Sequence, residues 1–403
     1  MDQGPGRPQC ALISGAGIAG PALAHWLTRY GWETVVVERA ASVRPGGQNI
    51  DVRGAGREVT RRMGLEQAIR DATTGEVGTR FVTSDGGAIA EFPAGTSQSG
   101  GTTAEVEILR EDLANLLVEQ TRDRTEYVFD DHIVALSDEG GHVRVALASG
   151  AERDVDVVVA ADGLHSATRG LVFGPTATIS PLGLQMAWLT IDRTDTDDQW
   201  WRWYNAPGGR VVTLRPDNAG TTRAALSFRD APEGAELLPR DQQRQLLEDV
   251  FAGAGWQTER VLAGVRDAPD FYLEAVAQVH VPQWSRGRVA LLGDAASAPS
   301  PVSGMGTSLA LVGAYVLAGE LASHVHHVDA FRAYERVMRP YVEQAQKLPP
   351  GVPWIAHPRT GAGIAAMRTA LRLASSRVVQ RAGDLYSPPA DRIELPDYAH
   401  LET

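Results

Sequence analysis

The apolar positions of this chain fall into two regimes. Near the start, an unbroken apolar run from Cys10 to Ser14 meets Gly15-Ala16-Gly17-Ile18-Ala19-Gly20. A helically spaced segment, Pro21 to Tyr30, follows and stops at Gly31, and Thr34-Val35-Val36-Val37 reads as a second strand. Strand, glycine turn, helix and strand in close succession predict the opening of a parallel nucleotide-binding unit. Downstream, Asp112 to Thr121 has helical spacing, while Tyr127 to Phe129, Ile133 to Leu136 and Val143 to Leu147 alternate like strands. Val155 to Ala161 is continuously apolar, as in a strand buried on both faces.

From about Pro175 to Val281 the pattern changes to alternating, tryptophan-bearing segments such as Trp200 to Tyr204 and Arg210 to Leu214, with Gly208-Gly209 as the turn between them. A mainly antiparallel sheet is expected there. Arg288 to Leu292 then returns to the buried-strand pattern, so the nucleotide fold resumes after an insertion. Past Pro340, Leu348-Pro349-Pro350-Gly351 breaks the chain before a helical region from about Gly363 to Arg381. The expected fold class is α/β. A discontinuous Rossmann-like domain takes residues 1–75, 106–175 and 281–345, and a mixed, mainly antiparallel substrate-domain sheet takes 76–105 and 176–280. A C-terminal helical region, 346–403, braces the two.

The first glycine turn carries the clearest chemistry. Gly15, Gly17 and Gly20 permit a tight turn and close backbone approach to a pyrophosphate, whose charge the following helix N-terminus favours. Glu38, at the end of the second strand, is placed to accept hydrogen bonds from a ribose. Gly361-Ala362-Gly363-Ile364-Ala365-Ala366 matches a looser form of the pattern but follows His357-Pro358-Arg359-Thr360 instead of an apolar strand, so it fails the context test. With no second fingerprint, a reductase with two nucleotide domains is disfavoured. Two further turns put an aspartate at the C-terminal end of a buried strand, where open α/β sheets bind ligands. They are Asp162-Gly163 in Ala161 to Arg169, and Gly293-Asp294-Ala295-Ala296 with Pro299, Pro301, Gly304 and Gly306.

Charge and cysteine content narrow the partners. A formal net charge of -12 and a pI near 5.3 argue against nucleic acid as a partner. The single cysteine, Cys10, allows no intrachain disulfide and no thiolate metal site; no metal is expected. The first residues show no basic region followed by an apolar stretch, and the apolar segment around Thr307 to Ala322 is interrupted by Ser308, Gly313 and Gly319. The expectation is a cytoplasmic protein without stable membrane insertion; nothing in the pattern speaks to its oligomeric state.

The three turns, in this order and spacing, resemble those of the class A flavoprotein monooxygenases, the para-hydroxybenzoate hydroxylase-like family. Within it the chain is similar to the branch of tetracycline-inactivating and polyketide-tailoring enzymes, from Cys10 to about Arg381. The resemblance implies non-covalent FAD, with NADPH or NADH as transient reductant. It implies that Glu38 and Arg39 flank the adenosine, that Asp51 and Arg110 contact FAD, and that Arg44 serves the nicotinamide. Asp162 and Gly163 belong to a motif serving both cofactors. Gly293 and Asp294 would hold the ribityl or pyrophosphate portion, and the Gly304-Met305-Gly306 turn would face the isoalloxazine. Ser297, Ser308 and Gly313 depart from residues frequent in the family.

The implied reaction is insertion of one atom of molecular oxygen into a small organic substrate through a flavin C4a-hydroperoxide, with aromatic or polyketide hydroxylation as the main expectation. Epoxidation and Baeyer-Villiger insertion are alternatives, and an FAD-stabilised non-redox cyclase or ligand-binding protein is an alternative of another class. No side-chain general base is identifiable. His324, His326 and His327 read as a solvated helix end, and Trp201 and Trp203, sharing one face of a strand, read as core first and as pocket wall second.

Overall fold

The computed structural model describes residues 7–94, 107–348, 351–375 and 393–402. β1 (Cys10–Ser14), α1 (Ala19–Arg29) and β2 (Glu33–Glu38) form the expected unit, the strands parallel with Ile13 opposite Val36. The chain then crosses β3 (Asn49–Asp51), α2 (Gly54–Arg62), α3 (Glu66–Asp71), β4 (Gly78–Val82) and β5 (Ala88–Pro93). It continues through β6 (Glu107–Leu109), α4 (Arg110–Thr121) and β7 (Thr125–Phe129). A hairpin layer follows, β8 (Ile133–Asp138), β9 (Val143–Leu147) and β10 (Glu152–Val155), leading to β11 (Val157–Ala160) and α5 (Ala167–Phe173).

The run Val155 to Ala161 is therefore not one strand. Val155 ends the antiparallel layer and Val157 begins the parallel sheet, with Asp156 at the switch. Its N–H donates to the Cys10 carbonyl at 2.9 Å, and its carboxylate accepts the Cys10 N–H at 2.7 Å. An apolar run cannot reveal a change of partner when both partners are buried.

The inserted region forms β12 (Thr178–Asp192), β13 (Trp200–Ala206), β14 (Arg210–Pro216) and β15 (Thr221–Arg229), then α6 (Arg240–Phe251), α7 (Thr258–Asp267) and β16 (Tyr272–His280). With β4 and β5 these strands make a seven-stranded sheet in the order β16-β12-β15-β14-β13-β4-β5, antiparallel except where β13 meets β4. The other large sheet, completed by β17 (Ser285–Arg286) and β18 (Val289–Leu291), has the order β17-β18-β11-β1-β2-β7. β3 and β6 pair by themselves.

After α8 (Asp294–Ser297), the apolar α9 (Gly306–Ser323) lies buried against α1, α2 and α10 (His327–Gln346). By length and composition α9 could cross a membrane, but most of its side chains are core. α10 runs through Pro340 to Gln346, stopping just before the expected break at Leu348 to Gly351. Buried Met338, Tyr341, Val342 and Ala345 hold the turn at Pro340 in place despite the missing donor.

The helical region expected from about Gly363 is found, with a short helix added before it. α11 (Val352–Ala356) and α12 (Gly361–Ala374) lie on the seven-stranded sheet, and the rest of the expected helix falls outside the described residues. Residues 393–402 return to the other sheet's helices, where Tyr315 donates to the Pro396 carbonyl and Tyr398 to Glu320. The C-terminal region thus touches both halves.

Candidate functional site

The glycine turn after β1 is built by close packing on two sides and open space on the third. Gly15 has φ +109°, and a Cβ there would lie 2.6 Å from the Ala161 carbonyl oxygen. Gly20 lies against the Gly15 carbonyl and Ile13, so only hydrogen fits between α1 and β1. At Gly17 an added Cβ would meet nothing within 4 Å, which leaves a cradle at the N-terminus of α1 where an anion can approach the backbone.

Glu38 closes the turn from the side. One carboxylate oxygen accepts the Ala16 N–H at 2.8 Å and the other accepts the Ala40 N–H at 2.9 Å, which fixes the group beside the cradle with lone pairs to spare. Glu38→Ala is expected to weaken FAD binding by roughly 1 to 3 kcal/mol, the range for a charge-assisted contact. Titration of folded wild-type and variant apoproteins with FAD checks this; equal affinities would contradict it. Arg39 is exposed next to it.

Two of the expected site residues each leave a buried polar atom without a partner among the described residues. Arg110, at the start of α4, has an unsatisfied Nη1. Burial, then the positive charge of Arg44, weighs against its cation. Asp51 spends Oδ2 on Arg53 at 2.6 Å and leaves Oδ1 unsatisfied. Arg44 reaches across to the other sheet, its guanidinium 4.4 Å from the Tyr272 ring centre.

Asp162 is consumed by its own turn. It accepts from the Ser166 hydroxyl and, at 3.0 Å each, from the Thr168 N–H and hydroxyl, while Ser166 caps α5 by accepting the Arg169 N–H. Gly163, with φ +85°, makes the turn possible.

Asp294 has a different setting. Its side chain is exposed, yet surrounding protein pushes its carboxyl up to about 6, with Arg110 opposing the shift. Gly293, at φ +60°, directs the chain into this turn, and Gly306 lies beside Asp294 Oδ1. Gly304 takes φ +62°, Met305 is buried, and α9 starts at Gly306 with no side-chain cap, leaving its first N–H groups without helical acceptors. Ser308 tightens this entry by bonding to both the N–H and the carbonyl of Arg53.

Several groups on the seven-stranded sheet were missed by sequence reasoning. α6 and α7 cover one face, over Ala187, Leu189, Tyr204, Leu214, Leu226 and Phe228. On the other face the register aligns Tyr272, Trp188, Ala225, Thr213, Trp203 and Phe81 across six strands. Tyr204 is core, whereas Trp201 and Trp203, expected as core first and pocket wall second, are only half-buried and belong to this second face. Arg215, beside that row, bonds to Glu76 at 2.9 Å and to Glu107, joining the seven-stranded sheet to the β3–β6 pair. The only early signal of this contact was a charged residue in an apolar strand.

An open cradle, an orphaned guanidinium nitrogen, an orphaned carboxylate oxygen and an uncapped helix start suit a dinucleotide with a flavin head. A surface depression of about 520 Å³ on α10, lined in part by Arg332, Arg336 and Glu343, shares no residue with this site.

Known proteins agree with this geometry. A family model described as "FAD binding domain" matches residues 9–348. The chain is 34% identical to the FAD-dependent monooxygenase asL6 of Sarocladium schorii, with 97% of this chain and 98% of the relative covered. It is 36% identical to the flavin-dependent monooxygenase eupH of a Phoma species over the same shares. The crystal structure of the tetracycline destructase Tet(51) superposes with a TM-score of 0.81 at 30% identity, over 97% of this chain and 100% of that one. The fold, the cradle and these relatives together make the chain a member of the FAD-binding class A flavoprotein monooxygenases, in a branch similar to the tetracycline destructases.

Proposed function

We propose that the protein hydroxylates a flat, multi-ring aromatic or polyketide-type substrate held on the open face of the seven-stranded sheet, using NADPH or NADH and molecular oxygen. One observation carries this reading. Trp188 and Trp203 stand three strands apart on one row, with the small side chains of Ala225 and Thr213 between them. At about 4.8 Å per strand that separation is roughly 14 Å, a trough long enough for fused rings. Names of relatives support the same class of chemistry.

In this reading, the chain divides as the hydrophobic pattern suggested, with the nucleotide-binding segments on the parallel sheet and the substrate segments on the seven-stranded one. Gly15, Gly17, Gly20, Glu38, Arg110 and Asp294 would hold FAD, with Asp51 and the Gly304 to Gly306 turn beside it. Bound FAD supplies hydride acceptance from the nicotinamide and activation of oxygen. The chain's own part is to seat the substrate between the two sheets, orient it against the ring and keep water out. Arg39 and Arg44, exposed at the mouth, suit the adenosine and the transient nicotinamide. Asp162 and Gly163 act by shaping the turn next to the cradle. The acidic net charge fits a cytoplasmic enzyme with a small, uncharged organic substrate.

The test is to incubate FAD-loaded protein and NADPH with matched sets of polycyclic and single-ring phenols and score products one oxygen heavier, which the polycyclic set should give. Products confined to compact single-ring substrates would overturn the trough reading.

A further inference from the structure

β16 is the edge strand beside α8 and the Asp294 turn, so its side chains on the open face stand at the flavin end of the trough. By register Tyr272 opposes Trp188 and Glu274 opposes Met186, which places Glu274 on the same face as the indoles. Trp188 Nε1 donates to Glu274 Oε1 at 2.8 Å, while Oε2 takes no hydrogen bond from any described residue and is not sealed from solvent. The group is held on one oxygen and free on the other.

The charged and titratable neighbours are Arg44 from the loop after β2, Asp294 at the start of α8, and Tyr272 on the same strand. Burial first, and then the negative charge of Asp294, raise the Glu274 pKa above the ordinary carboxylate range; Trp188 and Arg44 pull the other way. Two carboxyl groups at this end disfavour an incoming carboxylate. A hydroxyl suits both of them.

We propose that Glu274 binds the flavin-proximal hydroxyl of the substrate and takes its proton on Oε2 during oxygenation, so that the trough selects phenols and enols over aromatic carboxylates. This rests on the trough being the substrate site. The O–H bond breaks and its electron pair stays on the substrate oxygen, conjugating into the ring. The neighbouring ring carbon gains a hydroxyl group derived from oxygen gas, and its former hydrogen shifts as a proton to the substrate oxygen. The proton on Oε2 leaves with the second oxygen atom as water. NAD(P)H supplies the two electrons and solvent one further proton, so each turnover converts substrate, oxygen, NAD(P)H and a proton to hydroxylated product, NAD(P)⁺ and water.

Two flat probes test this, 2-naphthol and 2-naphthoate, titrated into FAD-loaded enzyme from acid to mildly alkaline pH with the flavin spectrum as readout. Wild type should prefer naphthol by at least about tenfold, equivalent to about 1.4 kcal/mol. The preference should widen as pH rises through the ionisation of Glu274. Glu274→Gln keeps an acceptor for Trp188 but loses the proton acceptor, so the preference should shrink and its pH dependence vanish. Equal affinity of wild type for both probes overturns the inference without needing a variant, as does an unchanged preference and pH profile in a Glu274→Gln protein that retains FAD. Either result alongside intact oxygen incorporation leaves the proposed function standing, whereas binding of neither probe overturns the trough and the inference together.

Discussion

A Gly20→Ala variant should lose FAD and unfold at markedly lower urea than wild type, whereas Gly17→Ala should keep its stability and lose only cofactor affinity. The two glycines lie in one turn and differ in what surrounds them. A Cβ at Gly20 would fall on the Gly15 carbonyl oxygen and 3.3 Å from Ile13 Cγ2, and Ile13 is wholly buried. Neither neighbour can yield, since one is backbone and the other core. α1 would have to lift off β1, taking the buried Leu23, Trp26 and Leu27 with it. Overpacking costs about 1 to 3 kcal/mol when side chains can adjust, and a backbone collision belongs at roughly 3 kcal/mol or above. At Gly17 a methyl meets no protein atom, so it intrudes only on the space for pyrophosphate. Urea midpoints and FAD titrations of the pair separate the two effects. Equal stability of Gly20→Ala and wild type would contradict the packing, and unchanged FAD affinity in Gly17→Ala would remove pyrophosphate from the cradle.

Arg215→Met should destabilise the protein by about 3 to 5 kcal/mol, the cost of stranding buried charge. The Arg215 side chain is 11% exposed, and those of its partners Glu76 and Glu107 are 0% and 4%. Asn49 and Thr74 also donate to Glu107, and the Arg215 guanidinium stacks 4.2 Å from the Trp201 ring centre. The cluster joins β3 and β6 to β14, so its loss should loosen one sheet against the other. Because much of the penalty is the charge left behind on the fully buried Glu76, adding Glu76→Gln should recover part of the loss.

Glu107 also gives a pH signature. Burial raises its pKa, Arg215 opposes the shift, and the charges of Glu76 and Asp51 add to it. A carboxyl whose folded pKa is raised contributes stability that is fully present below the unfolded value, about 4.3 for glutamate, and lost as pH rises through the folded value. Glu107→Gln should flatten that slope. Urea unfolding across this range checks it, and identical slopes would contradict the assignment.

The parallel half of the fold was legible because its strands are short apolar runs bounded by glycine turns. Cys10 to Ser14 and Val289 to Leu291 need only bury both faces, and local pattern records that. Glu38 and Asp294 were legible because turn chemistry places them relative to neighbours in sequence. Arg215 was not, since its meaning lies with Glu76 and Glu107, which are 139 and 108 residues away. Glu274 was hidden for the same reason, its partner Trp188 being 86 residues distant. Alternation in Trp200 to Tyr204 correctly divided the side chains between two faces. Which face stays open was decided by where α6 and α7 dock, and that choice made Tyr204 core and left Trp203 on the uncovered face.

The central claim is oxygen insertion by an FAD enzyme, and its most direct test is turnover under isotopically labelled oxygen gas. FAD-loaded protein, NADPH and a polycyclic phenol that turns over should give a product carrying one labelled atom, with none acquired from labelled water. A product lacking the gas-derived label, or formed equally without NADPH, would contradict it.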